Sequence, residues 1–143
     1  SPNDVRHAFE VMASLESLSG ELATQRVSDN DIVDLRVMQA EMEAAHAGHD
    51  LPNYYRINRA IHDRINAIAG NPILTQTFRT LNMRLHALRF RSNLVPAKWD
   101  QAVGEHRDMI DALAARDGAR LRDILARHLK AKLQAVLETM DMP

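Results

Sequence analysis

The sequence contains no cysteine. Disulfide frameworks, thiolate metal sites and a cysteine nucleophile are therefore excluded, and His, Asp, Glu, Asn and Gln remain as possible metal ligands. Neither sign of charge dominates. The 18 Lys+Arg and 19 Asp+Glu give a formal net charge of −1, so the whole-chain field offers no reason to bind nucleic acid or a membrane surface, and any ligand has to be recognised locally. No apolar run approaches the roughly 20 residues of a membrane span, and no basic-then-apolar leader opens the chain; the expectation is a soluble, cytoplasmic protein. Aromatic residues are few, at 4%, and Gly and Pro number five each, mostly between blocks of periodic apolar residues. With abundant Ala, Leu, Arg and Glu, this composition favours helix over strand. The 143 residues suffice for one domain with a core and are too few for two, so a single all-α bundle over residues 1–143 is expected.

Six helices can be placed. Val5, Phe9, Met12, Leu15, Leu18 and Leu22 recur at steps of three or four and predict a first helix from Asn3 to Thr24. Ser28 and Asp31 resemble a capping box ahead of Ile32, Leu35, Met38 and Met42, a second helix that ends near the polar His46–Asp50. Pro52 suits the first position of a third helix, with Tyr55, Ile57, Ile61, Ile65 and Ile68 inward and Gly70 at its end. Asn71-Pro72 starts the fourth, whose seam is Leu74, Phe78, Leu81, Leu85 and Leu88. After the irregular residues 92–95, Pro96 opens a fifth with Val103, His106, Ile110 and Leu113 inward, closed by the turn dipeptide Asp117-Gly118. The sixth carries Leu121, Ile124, Leu125, His128, Ala131, Ala135 and Met140. No internal repeat or low-complexity segment interrupts the pattern.

Short connections make neighbouring helices antiparallel. His106 and His128 lie eleven residues before and after Asp117, so each sits about 16 Å from the hairpin turn at about 1.5 Å per residue. Both fall on apolar stripes and should face the core at one height. His62 follows Asn58 by four residues, so these two side chains share a helix face and could hold one ion between them. Imidazole nitrogen suits divalent zinc, nickel or manganese, and an amide oxygen can complete a mixed shell. The candidate metal site is Asn58, His62, His106 and His128. Core-facing histidines also serve as plain hydrogen-bonding residues, a reading that remains open at this point. His7, His46, His49 and His86 are read as surface, loop or helix-flank residues.

Asn58-Arg59-Ala60-Ile61-His62, Ala69-Gly70-Asn71-Pro72, Glu105-His106-Arg107, Arg116-Asp117 and His128-Leu129 resemble, in order and spacing, the C-terminal effector-binding (FCD) domain of FadR-type regulators of the GntR family. The opening Phe9–Glu16 is similar to that family's first helix, and the resemblance covers nearly all of the chain. It implies an antiparallel bundle of six or seven helices with a divalent metal held by an Asp or Asn, a His four residues on, and two further His. By position these are again Asn58, His62, His106 and His128. It further implies small carboxylates or sugar acids as effectors, with fatty-acyl ligands in metal-free relatives. A homodimer and a preceding winged-helix DNA-binding domain are implied as well. The chain starts almost at helix one, so it is expected to be the sensory half alone, reaching DNA only through that missing domain.

Two departures from the family pattern alter the chemistry. Met12 stands where the family often has an arginine associated with the effector carboxylate, and Asn58 replaces the commoner aspartate. A neutral shell of three imidazoles and an amide leaves the ion's charge uncompensated and favours an anionic ligand. Arg84 and Arg89 flank the seam of the fourth helix and are candidate replacement clamps, since a guanidinium grips a carboxylate bidentately; both also read as solvated surface residues. Asp63, Glu105 and Asp108 adjoin proposed ligands in sequence, but helical geometry turns adjacent residues different ways, so surface exposure is expected for them. Two other functions compete with a non-enzymatic sensor. One is a metal-dependent hydrolase on a three-His site, which lacks an inward carboxylate to act as general base. The other is a metal-free module with an apolar cavity for acyl chains.

Overall fold

The structure, a computed structural model, describes residues 1–92 and 94–141, without the side chains of 89–92. Among these residues there are six helices and no strand: α1 (Pro2–Arg26), α2 (Asp29–Ala47), α3 (Leu51–Ala69), α4 (Pro72–Ser92), α5 (Pro96–Ala114) and α6 (Gly118–Met140). No helix among them is long and apolar enough to cross a membrane.

The helix boundaries follow local chemistry. Ser28 and Asp31 form a reciprocal capping box, with the Asp31 N–H donating to Ser28 Oγ and the Ser28 N–H to Asp31 Oδ2. Gly70 ends α3 at φ 67°, a left-handed conformation that costs glycine nothing. The Asn71 carboxamide then accepts from the Leu74 N–H to cap α4. Helix α3 starts one residue earlier than Pro52 predicts, because Asp50 caps it by accepting from the Asn53 N–H. At the α5–α6 turn, Arg116 takes φ 55° and its guanidinium donates to the Val27 carbonyl and the Asp29 carboxylate. That contact ties the α5–α6 turn to the α1–α2 junction.

Helix α1 packs on α3, α4 and α6, and α5 lies between α2 and α6. The buried stripe of α1 includes Val5, Phe9, Met12, Glu16, Ser19 and Ala23, which corrects the apolar-only reading: Leu18 is 43% exposed and Glu16 takes the inward position. The α3 seam likewise buries Tyr54 rather than Tyr55, and α2 buries Gln39 while Met38 is only partly covered. The core forms two apolar clusters. One contains Ile61, Ile110, Leu113, Leu121 and Leu125; the other contains Phe9, Met12, Phe78, Leu85 and Leu129. Along α1 the change from one cluster to the other falls at Glu16 and Ser19, and along α6 it falls at His128. A polar layer therefore crosses the bundle where the two clusters meet.

Candidate metal centre

The α5–α6 hairpin brings His106 and His128 level, as their equal spacing from Asp117 predicts. Their ring centroids are 5.2 Å apart at an interplanar angle of 85°, and the residues are 3% and 1% exposed. His62 of α3 approaches His106 from the other side, with centroids 5.4 Å apart and planes at 89°. The three imidazoles form an edge-to-face chain drawn from three helices. A metal–nitrogen bond of about 2.0–2.1 Å, plus about 1.2 Å from nitrogen to ring centre, puts two imidazoles of a tetrahedral shell about 5.2 Å apart between centroids. Both observed spacings match that value. The ring nitrogens have not converged: among the described residues, no three His, Asp or Glu side chains are already arranged as a ligand set.

Asn58 is half-buried, and its Oδ1 is a buried atom with no hydrogen-bond partner. A buried amide oxygen without a donor calls for an explanation such as an ion or water. Asn58, His106 and His128 also line one small cavity together with Lys132. The donor set of three imidazoles and one amide oxygen thus fits a divalent transition ion.

Two carboxylates stand beside the imidazoles. Glu16 is 3% exposed, and its Oε1 lies 3.9 Å from His62 Nδ1. It lines a narrow cavity of about 20 Å³ with His62, His106, Ser19 and Asn66, room for one water or ion. Glu105 is half-buried rather than surface-exposed, with Oε2 3.6 Å from His128 Nδ1. Burial pushes its carboxyl up, but the hydrogen bond and charge of His128, followed by Gln101 and Lys132, outweigh this and hold it below the usual carboxylate range. Carboxylates so placed can fix imidazole tautomer and orientation. Asp108 is exposed, as expected, and Asp63 is partly exposed. Glu16 was hidden from an apolar pattern, although the steps 5, 9, 12, 16, 19 and 23 point to it.

A cleft of about 470 Å³ opens between α3 and α4. Helix α3 contributes Tyr55, Asn58, Arg59, His62 and Asp63, one face at helical spacing. Arg79, Asn82, Met83 and His86 of α4 form the facing stripe. Tyr55 Oη donates to the His86 carbonyl at 3.1 Å, closing one end; Arg79 Nε stands 3.9 Å from Asp63 Oδ1 at the other. Phe78 stacks on His62 at 6.2 Å between centroids and lines the cleft beside it. The cleft thus reaches two of the four proposed ligands. Arg84 is exposed and is not among its lining residues, and the Arg89 side chain lies outside the described residues. The cleft arginines are instead Arg59 and Arg79. Met12, where the family resemblance leads to an arginine, is fully buried against apolar neighbours.

The sequence pattern of the FCD domain family matches residues 7–131. The chain belongs to the FCD domain family. FCD domains are effector-binding domains of GntR-type regulators, and the all-helical bundle is the architecture that membership implies. No curated protein matches the chain in sequence. Among solved structures, the FCD domain resembles McbR/YncC of E. coli with a TM-score of 0.89 at 18% identity, covering 97% of this chain and 70% of that one. It resembles GntR of Streptococcus agalactiae with a TM-score of 0.78 at 18% identity, covering 94% and 60%. A third is Lar, described as controlling the expression of the Listeria monocytogenes agr system and mediating virulence, with a TM-score of 0.80 at 12% identity, covering 96% and 65%. At these identities the likeness shows a shared fold. The FCD domain spans less than two thirds of the length of the second and third of these proteins.

Proposed function

We propose that this FCD domain is the non-enzymatic sensing part of a GntR-type transcription regulator. In this reading Asn58, His62, His106 and His128 hold a divalent ion, and a small carboxylate or sugar acid binds at that ion from the α3–α4 cleft. The observation that carries it is the edge-to-face chain of three imidazoles at ligand spacing beside a buried amide oxygen with no hydrogen-bond partner. The ion supplies positive charge and open coordination positions. The chain's own residues set its height in the bundle, exclude bulk water through Phe78 and Ile61, and leave one side accessible. Effector binding favours one arrangement of the bundle within a homodimer, and so shifts the placement of winged-helix domains attached outside residues 1–143. The protein would act in the cytoplasm, where such regulators meet DNA.

The inward carboxylate Glu16 removes one objection to a metal-dependent hydrolase. Its cavity of about 20 Å³ holds a water but no substrate, and Glu16 does not line the cleft, so sensing remains the better reading. The cavity beside the imidazoles is likewise too small for an acyl chain, and the larger α3–α4 cleft is lined mostly by polar and charged side chains, which disfavours an acyl-chain module. A thermal-shift screen of small organic acids, with and without added zinc, nickel or manganese, tests the proposal. Saturable stabilisation that needs the metal and is unaccompanied by turnover supports it. Ester or amide turnover abolished by chelator would support the hydrolase, and stabilisation by acyl ligands indifferent to chelator would support the apolar module.

A further inference from the structure

The α3–α4 cleft has features that a single carboxylate at the imidazoles would leave unused. Its two pinned ends, Tyr55 on the His86 carbonyl and Asp63 beside Arg79, are eight residues apart on α3, about 12 Å of helix. Its floor is Asn58 and His62. Its walls carry two guanidinium groups, Arg59 and Arg79, against one carboxylate, Asp63, a balance that favours an anion.

The pair closing the Arg79 end is loose. Its separation of 3.9 Å is at the limit of an ion pair, and the side chains of Arg79 and Asp63 are 60% and 39% exposed. Exposed pairs of this kind contribute little, so exchanging one carboxylate partner for another is cheap. Asn58, His62, Asp63 and Arg79 all line this one cleft, so the floor and the Arg79 guanidinium open on the same space.

Resting on the metal-sensor reading above, we infer that the effector is a short diacid: one carboxylate is taken at the Asn58–His62 floor and the second by Arg79, which exchanges Asp63 for it. Asp63 is then an internal competitor that holds Arg79 in place while the cleft is empty. Arg79 is a specificity residue, selecting two-ended anions over monoacids of the same length.

The test uses zinc-loaded protein and calorimetric titration of malonate, succinate and glutarate, each against the monocarboxylate of equal carbon number. The best diacid is expected to bind about tenfold or more tighter than its monoacid, as a bidentate guanidinium contact allows. In Arg79→Gln that ratio should fall to about twofold or less, and in Asp63→Asn the diacid should bind a few-fold tighter as its competitor is weakened. Equal binding of both classes overturns the inference, as does a diacid preference that survives Arg79→Gln or a loss of diacid affinity in Asp63→Asn. Zinc uptake with zinc-dependent monoacid binding but no diacid preference removes this inference and leaves the metal sensor standing. Failure to take up zinc removes the reading beneath it.

Discussion

Replacing Glu16 by methionine should move the metal-free and metal-loaded proteins in different directions. The carboxylate is 3% exposed and stands 3.9 Å from His62 Nδ1. Methionine has a similar volume and carries none of the cost of burying a charge, so the metal-free variant should melt at or above the wild-type temperature. With zinc bound as proposed, the same change removes the carboxylate standing beside the His62 imidazole. Loss of such an outer partner typically weakens metal affinity by about 10–100-fold, or about 1.4–2.7 kcal/mol. At saturating zinc the whole of that difference appears as lost stabilisation, about 4–8 °C for a domain of this size. The assay is a pair of melting curves, with chelator and with excess zinc, for wild type and Glu16→Met. A large drop in the melting temperature in chelator, with the zinc-induced rise intact, would show that Glu16 supports the fold and not the metal centre.

Other perturbations isolate the scaffold. The Ser28 N–H, then the Ser28 hydroxyl, and Arg64 hold the Asp31 carboxyl below its usual value of 3.8. The stabilisation from this depressed pKa is therefore complete above that value and lost as pH falls through the folded one. Asp31→Asn should cost about 0.5–1 kcal/mol near neutral pH, with the difference from wild type shrinking as pH falls below the usual carboxylate value, as read from urea unfolding across a pH series. Gly70→Ala forces a side chain into φ 67° with Arg26 Nη1 3.3 Å from the new Cβ, and should lower stability by about 1 kcal/mol, or about 3 °C, by calorimetry.

Much of the scaffold was legible because helix ends are local chemistry. Ser28, Gly70, Asn71 and Asp117 announce their caps within a few residues, and the equal spacing of His106 and His128 from one turn set their height before any packing was known. What escaped required knowing which neighbour each face meets. Glu16 and Gln39 are buried polar residues, invisible to an apolar stripe even where the helical steps lead to them. The arginines of the cleft depend on which side of α4 faces α3. Arg84 lies five residues beyond Arg79, about 140° around the helix at 3.6 residues per turn, and so points away from the cleft that Arg79 lines. Glu105 looked exposed beside buried His106, yet α6 runs along its flank and places His128 within 3.6 Å.

The shared ion is tested most directly by zinc stoichiometry in protein purified without a histidine tag, titrated and then dialysed, for wild type, His106→Ala, His128→Ala and His86→Ala. About one equivalent is expected in wild type and in His86→Ala, whose imidazole is exposed, and essentially none in the other two, with helical circular dichroism unchanged throughout. Wild-type protein that retains no zinc, or His106→Ala and His128→Ala proteins that retain as much as wild type, would contradict a centre built on these imidazoles.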